Sequence, residues 1–468
     1  MITELSLRNF KAWSATGKVK LGPISCFFGS NSSGKTSLLQ SLLLLKQTAI
    51  SADRGRVFDL GGSDSSLVSL GTFYDLVYGH ATGENVEIDV SWEEDEPFSI
   101  TDTEARSRSV IAKSSSLGLE VEVSVGRNQP AVQRVVYKLG DYDFSLSRRE
   151  GGKYRLSSNG YKFRRVTGRA WPLPPPGKFY SFPDQVRSYY QNAAFLSDLE
   201  LNFEQFCGRI YYLGPLRQDP QRQYLWGGGR PVDVGRRGEL AVEAMIASQA
   251  DGKTNSRGFV RRKNGALWAL PRISVEQHVA SWLKELNLIS DFSVEPLDRD
   301  RESVYRVLVR RGPSDPPVLL TDVGFGVSQV LPVLVLLAYV PEGSTVLLEQ
   351  PEIHLHPAVQ SGLADVIIEA AKVRKLQVIV ESHSEHLLLR LQRRIAEKFM
   401  PREIEITSED CHIYFCDSRQ GAPTIERLNL DLFGNVTNWP ADFFGDGFGE
   451  AAAQAKAARR RMKEERGE

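Results

Sequence analysis

The stretch Gly29-Ser-Asn-Ser-Ser-Gly-Lys-Thr36 constrains this chain more than any other. It fits the pattern GxxxxGK[ST], which occurs by chance in many sequences and gains meaning from its flanks. Here a short apolar run, ISCFFG (Ile24–Gly29), precedes it and reads as a buried strand. The leucine-rich SLLQSLLLLKQ follows and reads as a helix with an apolar face. Strand, glycine turn and helix together imply an α/β architecture.

The chemistry of such a turn is specific. Gly29 and Gly34 let backbone N–H groups face inward, and Ser30, Asn31, Ser32 and Ser33 complete a cradle for phosphate oxygens. Lys35 is placed for the β- and γ-phosphates, the Thr36 hydroxyl for Mg²⁺, and Ser37 continues the first helical turn, whose dipole favours anions. ATP and Mg²⁺ are the cofactors expected.

Three further stretches extend the pattern. In STVLLEQPEIHLHP (Ser344–Pro357) an apolar strand ends in acid, which places Glu349 at a sheet edge where it holds Mg²⁺ through water. In TDVGFGVSQVLPVLVLL (Thr321–Leu337) Gly326, Ser328 and Gln329 open a helix and offer a second phosphate-binding surface, with an ordinary Gly/Ser cap as the competing reading. In VIVESHSEHLLLRL (Val378–Leu391) His383 follows a strand, where it either senses the γ-phosphate or caps a helix.

These elements, in this order, resemble the ABC-type ATPase heads of the SMC, RecF and OLD (overcoming lysogenization defect) families. The resemblance implies that Gly326, Ser328 and Gln329 are the signature loop and His383 the switch histidine. LRNFKAW (Leu7–Trp13) is similar to the opening strand and turn of those heads, where Trp13 or Lys11 flanks the adenine, with a plain edge strand as the alternative. Gln47 is the candidate for the Q-loop glutamine. YYLGPLRQDPQRQY (Tyr211–Tyr224), VGRRGE (Val234–Glu239), ESHSEHLLLR and NWPADFF look like the stand-alone OLD-like ATPases of bacterial defence. Arg217 and Arg222 in the first of these are either phosphate-directed or structural ion-pair partners, the structural reading being favoured. The resemblance implies a homodimer or higher homo-oligomer, with ATP sandwiched between Lys35, Thr36 and Glu349 of one head and Ser328 of the other.

The chain departs from those heads in two ways. They carry a glutamate after the metal acid as base for the attacking water, and here that position is Gln350. An amide orients water without taking its proton, so slow hydrolysis is expected, with Glu352 or Glu349 as substitute base; a lost general base costs about 10²–10⁴-fold. OLD nucleases continue into a Toprim domain with clustered carboxylates, whereas the aspartates after Phe415 are Asp417, Asp431, Asp442 and Asp446, in a short segment without βα repeats. A separate effector, nuclease or toxin, is therefore the expected partner, in anti-phage defence. A DNA-repair or chromosome-maintenance clamp is the alternative, and a transport ATPase is disfavoured.

Composition narrows the remainder. The 468 residues carry equal numbers of acidic and basic side chains, which argues against coating nucleic acid by bulk charge. A basic loop of Arg257, Arg261, Arg262 and Lys263 beside Phe259 and Trp268, and the tail's Arg459–Arg461 and Lys463, leave DNA contact open, with solvated surface the favoured reading. His354 and His356 read as a structural turn. Cys26, Cys207, Cys411 and Cys416 show no metal spacing and read as free cytosolic thiols. The opening MITELSLRNF alternates like a strand, and no apolar run is long enough to span a bilayer, so a cytoplasmic protein without membrane contact is expected.

The expected fold class is an α/β ABC-type P-loop head with a mostly parallel sheet, an antiparallel β-rich lobe and a helical insertion. The expected parts are the first part of the head (1–83), the β-rich lobe (84–178), the helical insertion (179–293), the second part of the head (294–446) and a charged tail (447–468).

Overall fold

The computed structural model describes residues 1–81, 83–102, 109–125, 130–167, 171–262, 265–298, 301–418, 421–440, 453–454 and 456–458. Two large sheets organise them, and only their strands are numbered below. Those of the first are β1 (Ile2–Phe10), β2 (Trp13–Lys20), β4 (Asn85–Asp102), β5 (Ser109–Val125), β6 (Pro130–Leu139), β7 (Tyr142–Arg148) and β8 (Tyr154–Ser158). They form a seven-stranded antiparallel sheet in the order β2-β1-β4-β5-β6-β7-β8. Those of the second are β3 (Ile24–Gly29), β9 (Ile210–Leu213), β10 (Thr345–Glu349), β11 (Gln377–Glu381), β12 (Cys411–Asp417) and β13 (Thr424–Leu428). Their order is β13-β12-β3-β11-β10-β9, parallel throughout except for the edge hairpin of β12 and β13.

The parallel sheet is covered on both faces, which is why β3, β10 and β11 read as continuous apolar runs without alternation. Successive side chains still point to opposite faces. Phe27, Tyr212, Leu347, Ile379 and Tyr414 enter one core, shared with the antiparallel sheet and with helices α1 (Lys35–Ile50) and α2 (Leu196–Gly208). Cys26, Phe28, Leu213, Leu348, Val380 and Phe415 enter the other. That second core is roofed by α3 (Ala241–Ala250), α4 (Val275–Glu285), α5 (Phe325–Tyr339), α6 (Pro357–Val373) and α7 (Glu385–Glu397).

The expected parallel sheet around the glycine-rich loop and the antiparallel β-rich lobe are both present. The lobe's sheet is not confined to 84–178, because β1 pairs with β4 and brings β2 with it. Ile2, Leu5 and Leu7 of β1 bury into the same core as Ile88 and Val90 of β4, and that burial fixes the pairing. Residues 179–293 are not uniformly helical. They contain α2, α3 and α4, a short hairpin of Phe259–Arg261 with Leu267–Ala269, and β9, the edge strand of the parallel sheet. Ile210-Tyr-Tyr-Leu213 is wholly buried and too short for its periodicity to separate strand from helix. Of the tail, 453–454 and 456–458 are described, in helical conformation. Among the described residues no helix is long and apolar enough to cross a membrane.

Candidate functional site

The loop after β3 is shaped by two glycines. Gly29 has φ +141°, and a Cβ there would lie 2.0 Å from the Cys416 carbonyl oxygen, so only glycine lets β3 run this close to β12. Gly34 has φ +88°, and a Cβ there would meet the Trp13 ring at 2.9 Å. Ser30, Asn31 and Ser32 are exposed at the crest of the loop, whereas Ser33, Gly34, Lys35 and Ser37 are buried and Thr36 is half-buried. Helix α1 starts at Lys35 with no acidic side chain in its first turn, so its free N–H groups and positive dipole end face the loop uncompensated. The Lys35 ammonium folds into the cradle, donating to the carbonyls of Gly29 (3.1 Å) and Ser30 (2.6 Å) and to Ser33 Oγ (3.4 Å). Burial lowers its pKa, opposed by the charges of Glu381 and Glu352.

Three carboxylates line the adjacent sheet edge. Glu349 and Glu381 end neighbouring parallel strands in the same register, with β11 lying between β3 and β10. Thr36 and Glu349 do not meet directly: the Thr36 hydroxyl donates to Glu381 Oε1 (2.8 Å), while Tyr212 donates to Glu349 Oε2 (2.6 Å). Glu352, in the turn after β10, accepts the His383 backbone N–H at 2.7 Å. Burial pushes Glu381 up to about 7, helped by the Glu349 charge and opposed by Thr36 and Lys35. Burial also raises Glu349 and Glu352.

The second oxygens of Glu352 and Glu381 are buried and unpartnered, as are all three guanidinium nitrogens of Arg217. Unsatisfied acceptors and donors side by side, next to a glycine cradle with an ammonium in it, fit a nucleotide phosphate with its divalent cation. Among the described residues no group of three or more His, Cys, Asp or Glu could hold a metal alone. Mg²⁺ makes no such demand, since one or two carboxylates, phosphate and water complete its shell. Thr36, Glu381 and Glu349 are the residues that would hold it.

The remaining expected residues fall on and off this centre. His383 sits beside it: burial and the Lys35 charge lower its pKa, against a hydrogen bond to the Gly29 backbone. Gln350 adopts φ +43°, uncommon for a non-glycine residue, and its N–H bonds the Glu381 carbonyl at 2.8 Å. Gly326, Ser328 and Gln329 lie in the first turn of α5. Ser328 turns its hydroxyl back to Phe325 O (2.7 Å) and lines a cavity with Gln218, Tyr224 and Glu239, whereas Glu349 lines another with Tyr212, Leu216 and Arg236.

Trp13 corrects an expectation. It is 0% exposed beneath the loop, and its indole N–H donates to Gly34 O at 3.0 Å. A ring closed in on both faces cannot stack on adenine, so in this structure Trp13 props the loop. Lys11, half-buried, faces Asp75. Gln47 is likewise committed to structure, its amide clamping Asp59 O (2.9 Å) and both backbone groups of Val68 (3.1 Å each). Arg222 pairs with Asp322 at the surface (3.3 Å), as a structural arginine does, but Arg217 has no ion-pair partner.

His356 caps α6 by accepting Ala358 N–H, and His354 packs on Phe325. In the basic loop Arg261 pairs with Glu403 and Arg262 stacks on Trp268. Lys263, Arg459–Arg461, Lys463, Asp442 and Asp446 lie outside the described residues.

Sequence reasoning missed Glu381, Tyr212 and the importance of Arg236. The signal for Glu381 was present, since VIVE ends in acid as VLLE does. Tyr212 and Arg236 gave none, because the pairing of β9 with β10 brings Tyr212 to Glu349 and the bond from Gly214 N to Arg236 O brings the Arg236 loop beside it.

Comparison with known proteins agrees with the loop chemistry. Residues 1–128 match the family described as "AAA ATPase domain", and residues 279–390 match "AAA domain, putative AbiEii toxin, Type IV TA system". Residues 406–454 match a family described as "Protein of unknown function (DUF3696)". No curated protein matches by sequence. Among solved structures, an SMC head bound to the C-winged helix domain of ScpA is 11% identical over 92% of this chain and 98% of its own (TM-score 0.45). The SMC head of Thermotoga maritima is 11% identical over 92% and 99% (TM-score 0.39). An Smc head with an extended coiled coil, bound to the C-terminal domain of ScpA derived from Pyrococcus furiosus, is 11% identical over 92% and 96% (TM-score 0.44). Likeness this distant carries nothing about function, and the fold rests on the chain's own topology. The family matches and the glycine-loop geometry converge on one conclusion: the chain is a nucleotide-binding ATPase, two stretches of which match AAA-type ATPase domain models.

Proposed function

We propose that this chain is an ATPase subunit that dimerises around ATP and Mg²⁺, hydrolyses slowly, and controls a separate effector, nuclease or toxin, in anti-phage defence. The observation that carries the dimer is the split site. Lys35, Thr36, Glu381 and Glu349 gather at one sheet edge, whereas Ser328 lines a different cavity and the start of its helix exposes Phe325 at 51%. An ATP held by the glycine loop is left half-covered, and the α5 N-terminus of a second copy supplies the missing donors. Slow turnover follows from Gln350, an amide where a carboxylate base would serve. The defence role rests on the resemblance of Tyr211–Tyr224, Val234–Glu239 and ESHSEHLLLR to stand-alone OLD-like ATPases. The DNA-clamp alternative is not favoured, because Arg261 and Arg262 of the basic loop are already engaged.

Light scattering with phosphate release tests the mechanism. ATP should convert wild type from monomer to dimer, and Ser328→Arg should bind ATP yet stay monomeric. Gln350→Glu should speed turnover by up to about 10²-fold, within the range of a general base. Fast turnover by a wild-type monomer would overturn both the sandwich and the reading of Gln350. For the role, cells carrying the gene and its neighbours should survive phage challenge and lose that protection with Lys35→Ala; equal survival of both strains removes the defence assignment.

A further inference from the structure

Arg217 is the most anomalous charged residue of the described structure. It is only 7% exposed, yet Nε, Nη1 and Nη2 are each buried without a hydrogen-bond partner. Burial lowers its pKa to about 10, and the groups that act on it are Tyr212, Glu349 and Glu352. One oxygen of each carboxylate is engaged, Glu349 Oε2 by the Tyr212 hydroxyl and Glu352 Oε1 by the His383 N–H, and neither carboxylate hydrogen-bonds the guanidinium. A buried charge without hydrogen-bond partners destabilises a fold, and a guanidinium with five donors is the side chain least suited to being left unpaired.

The position is rigid. Arg217 lies in the loop after β9, the strand that pairs with the Glu349 strand through Leu213 and Leu348. Backbone bonds from Gly214 N to Arg236 O and from Gln218 N to Arg237 O, both 2.9 Å, pin this loop to the next one. Backbone held on both sides of a buried, unpartnered cation describes a donor prepared for a ligand. That ligand is anionic, and a planar fork suits the oxygens of phosphate. The loop glycines, Lys35 and the α1 N-terminus already serve the phosphates nearest the cradle. Arg217 stands instead at the acidic edge, beside the carboxylate that would hold the cation.

We propose that Arg217 binds the terminal phosphate of ATP in its own protomer and is the residue by which this site distinguishes ATP from ADP. The inference rests on the nucleotide-binding reading and adds the specificity determinant to it. Without a terminal phosphate the guanidinium stays buried and unpaired, and with one it gains charge-assisted hydrogen bonds.

The test is calorimetric titration of full-length protein with ATP and with ADP, each with Mg²⁺, alongside thermal melting of the nucleotide-free protein. Arg217→Met and Arg217→Lys are compared with wild type. Arg217→Met should lose roughly 10- to 100-fold in ATP affinity, the effect of one or two charge-assisted hydrogen bonds, and keep its ADP affinity. Its nucleotide-free form should melt no lower than wild type, since a buried unpaired charge has gone. Arg217→Lys, which keeps the charge without the fork, should fall between the two. An unchanged ATP-to-ADP ratio in Arg217→Met overturns the proposal. So does a nucleotide-free protein that melts several degrees lower with both affinities lost, because Arg217 is then structural. Both of those outcomes leave wild-type binding intact, whereas a wild type that binds neither nucleotide removes the underlying reading itself.

Discussion

Beneath the phosphate loop the indole of Trp13 fills the space that a side chain at Gly34 would need. Residue-scale effects here come in such pairs, one group shaped by the absence of another. Trp13→Ala should cost about 3–5 kcal/mol, the range for a fully buried aromatic. Trp13→Phe keeps most of the ring and loses the bond to Gly34 O, a cost of about 1 kcal/mol. Urea unfolding with ATP titration checks both: if Trp13 stacks on adenine after all, the Phe variant will keep nucleotide affinity while the Ala variant loses it without much loss of stability. At this scale the sequence exposed Gly29, Gly34, Lys35 and Thr36 because motif and conformation are local to one turn. It could not show that Trp13 is a prop or that Arg217 is unpaired, since burial depends on residues far away in the chain.

At the scale of elements, α2 carries a titrating group remote from the nucleotide site. Glu200 accepts the Phe182 backbone N–H, and burial raises its pKa from 4.5 to about 7, with Arg187 opposing and Glu204 and Asp184 adding to the rise. The folded state therefore holds a proton that the unfolded chain has released between those two values. Stability from this group is present below pH 4.5 and is lost as pH rises through about 7. Glu200→Gln retains an acceptor for Phe182 N–H and does not titrate. Its melting temperature relative to wild type should climb from pH 5 to pH 8, and a pH-independent difference would show that Glu200 ionises normally. Element types followed periodicity and caps: Ser384 before α7 and the prolines around α6 are readable in a linear scan. Strand β9 was not, because four apolar residues fit a strand or a buried turn of helix equally well.

At the scale of the whole molecule the two large sheets share one apolar core, and Gln377 adds a buried polar tie between them. Its amide accepts from Ile2 N (2.8 Å) and Thr345 Oγ1 (3.0 Å) and donates to the carbonyls of Ile2 (2.6 Å) and Gly22 (3.1 Å). One side chain thus ties β1 of the antiparallel sheet to the parallel sheet. Gln377→Ala strands several buried polar groups and should destabilise the protein by about 2–4 kcal/mol. Hydrogen exchange should also rise along β1 while β3 and β11 stay protected; uniform exchange would mean that the two sheets unfold as one unit.

What the sequence determined by itself is whatever a few consecutive residues enforce. Those features are the turn of the glycine loop, the acid at the end of an apolar strand, the caps of the helices and the alternation of the β-rich segment. Backbone conformation and side-chain period are short-range properties, so they survive reading in one dimension. Tertiary structure decided which strand lies beside which. Placing β11 between β3 and β10 gave Thr36 the carboxylate of Glu381 as its partner and left Glu349 to Tyr212. It also closed the second core around β9 and carried Arg217 to the acidic edge without a partner. Pairing order and burial arise from contacts between residues hundreds of positions apart, and no local pattern records them.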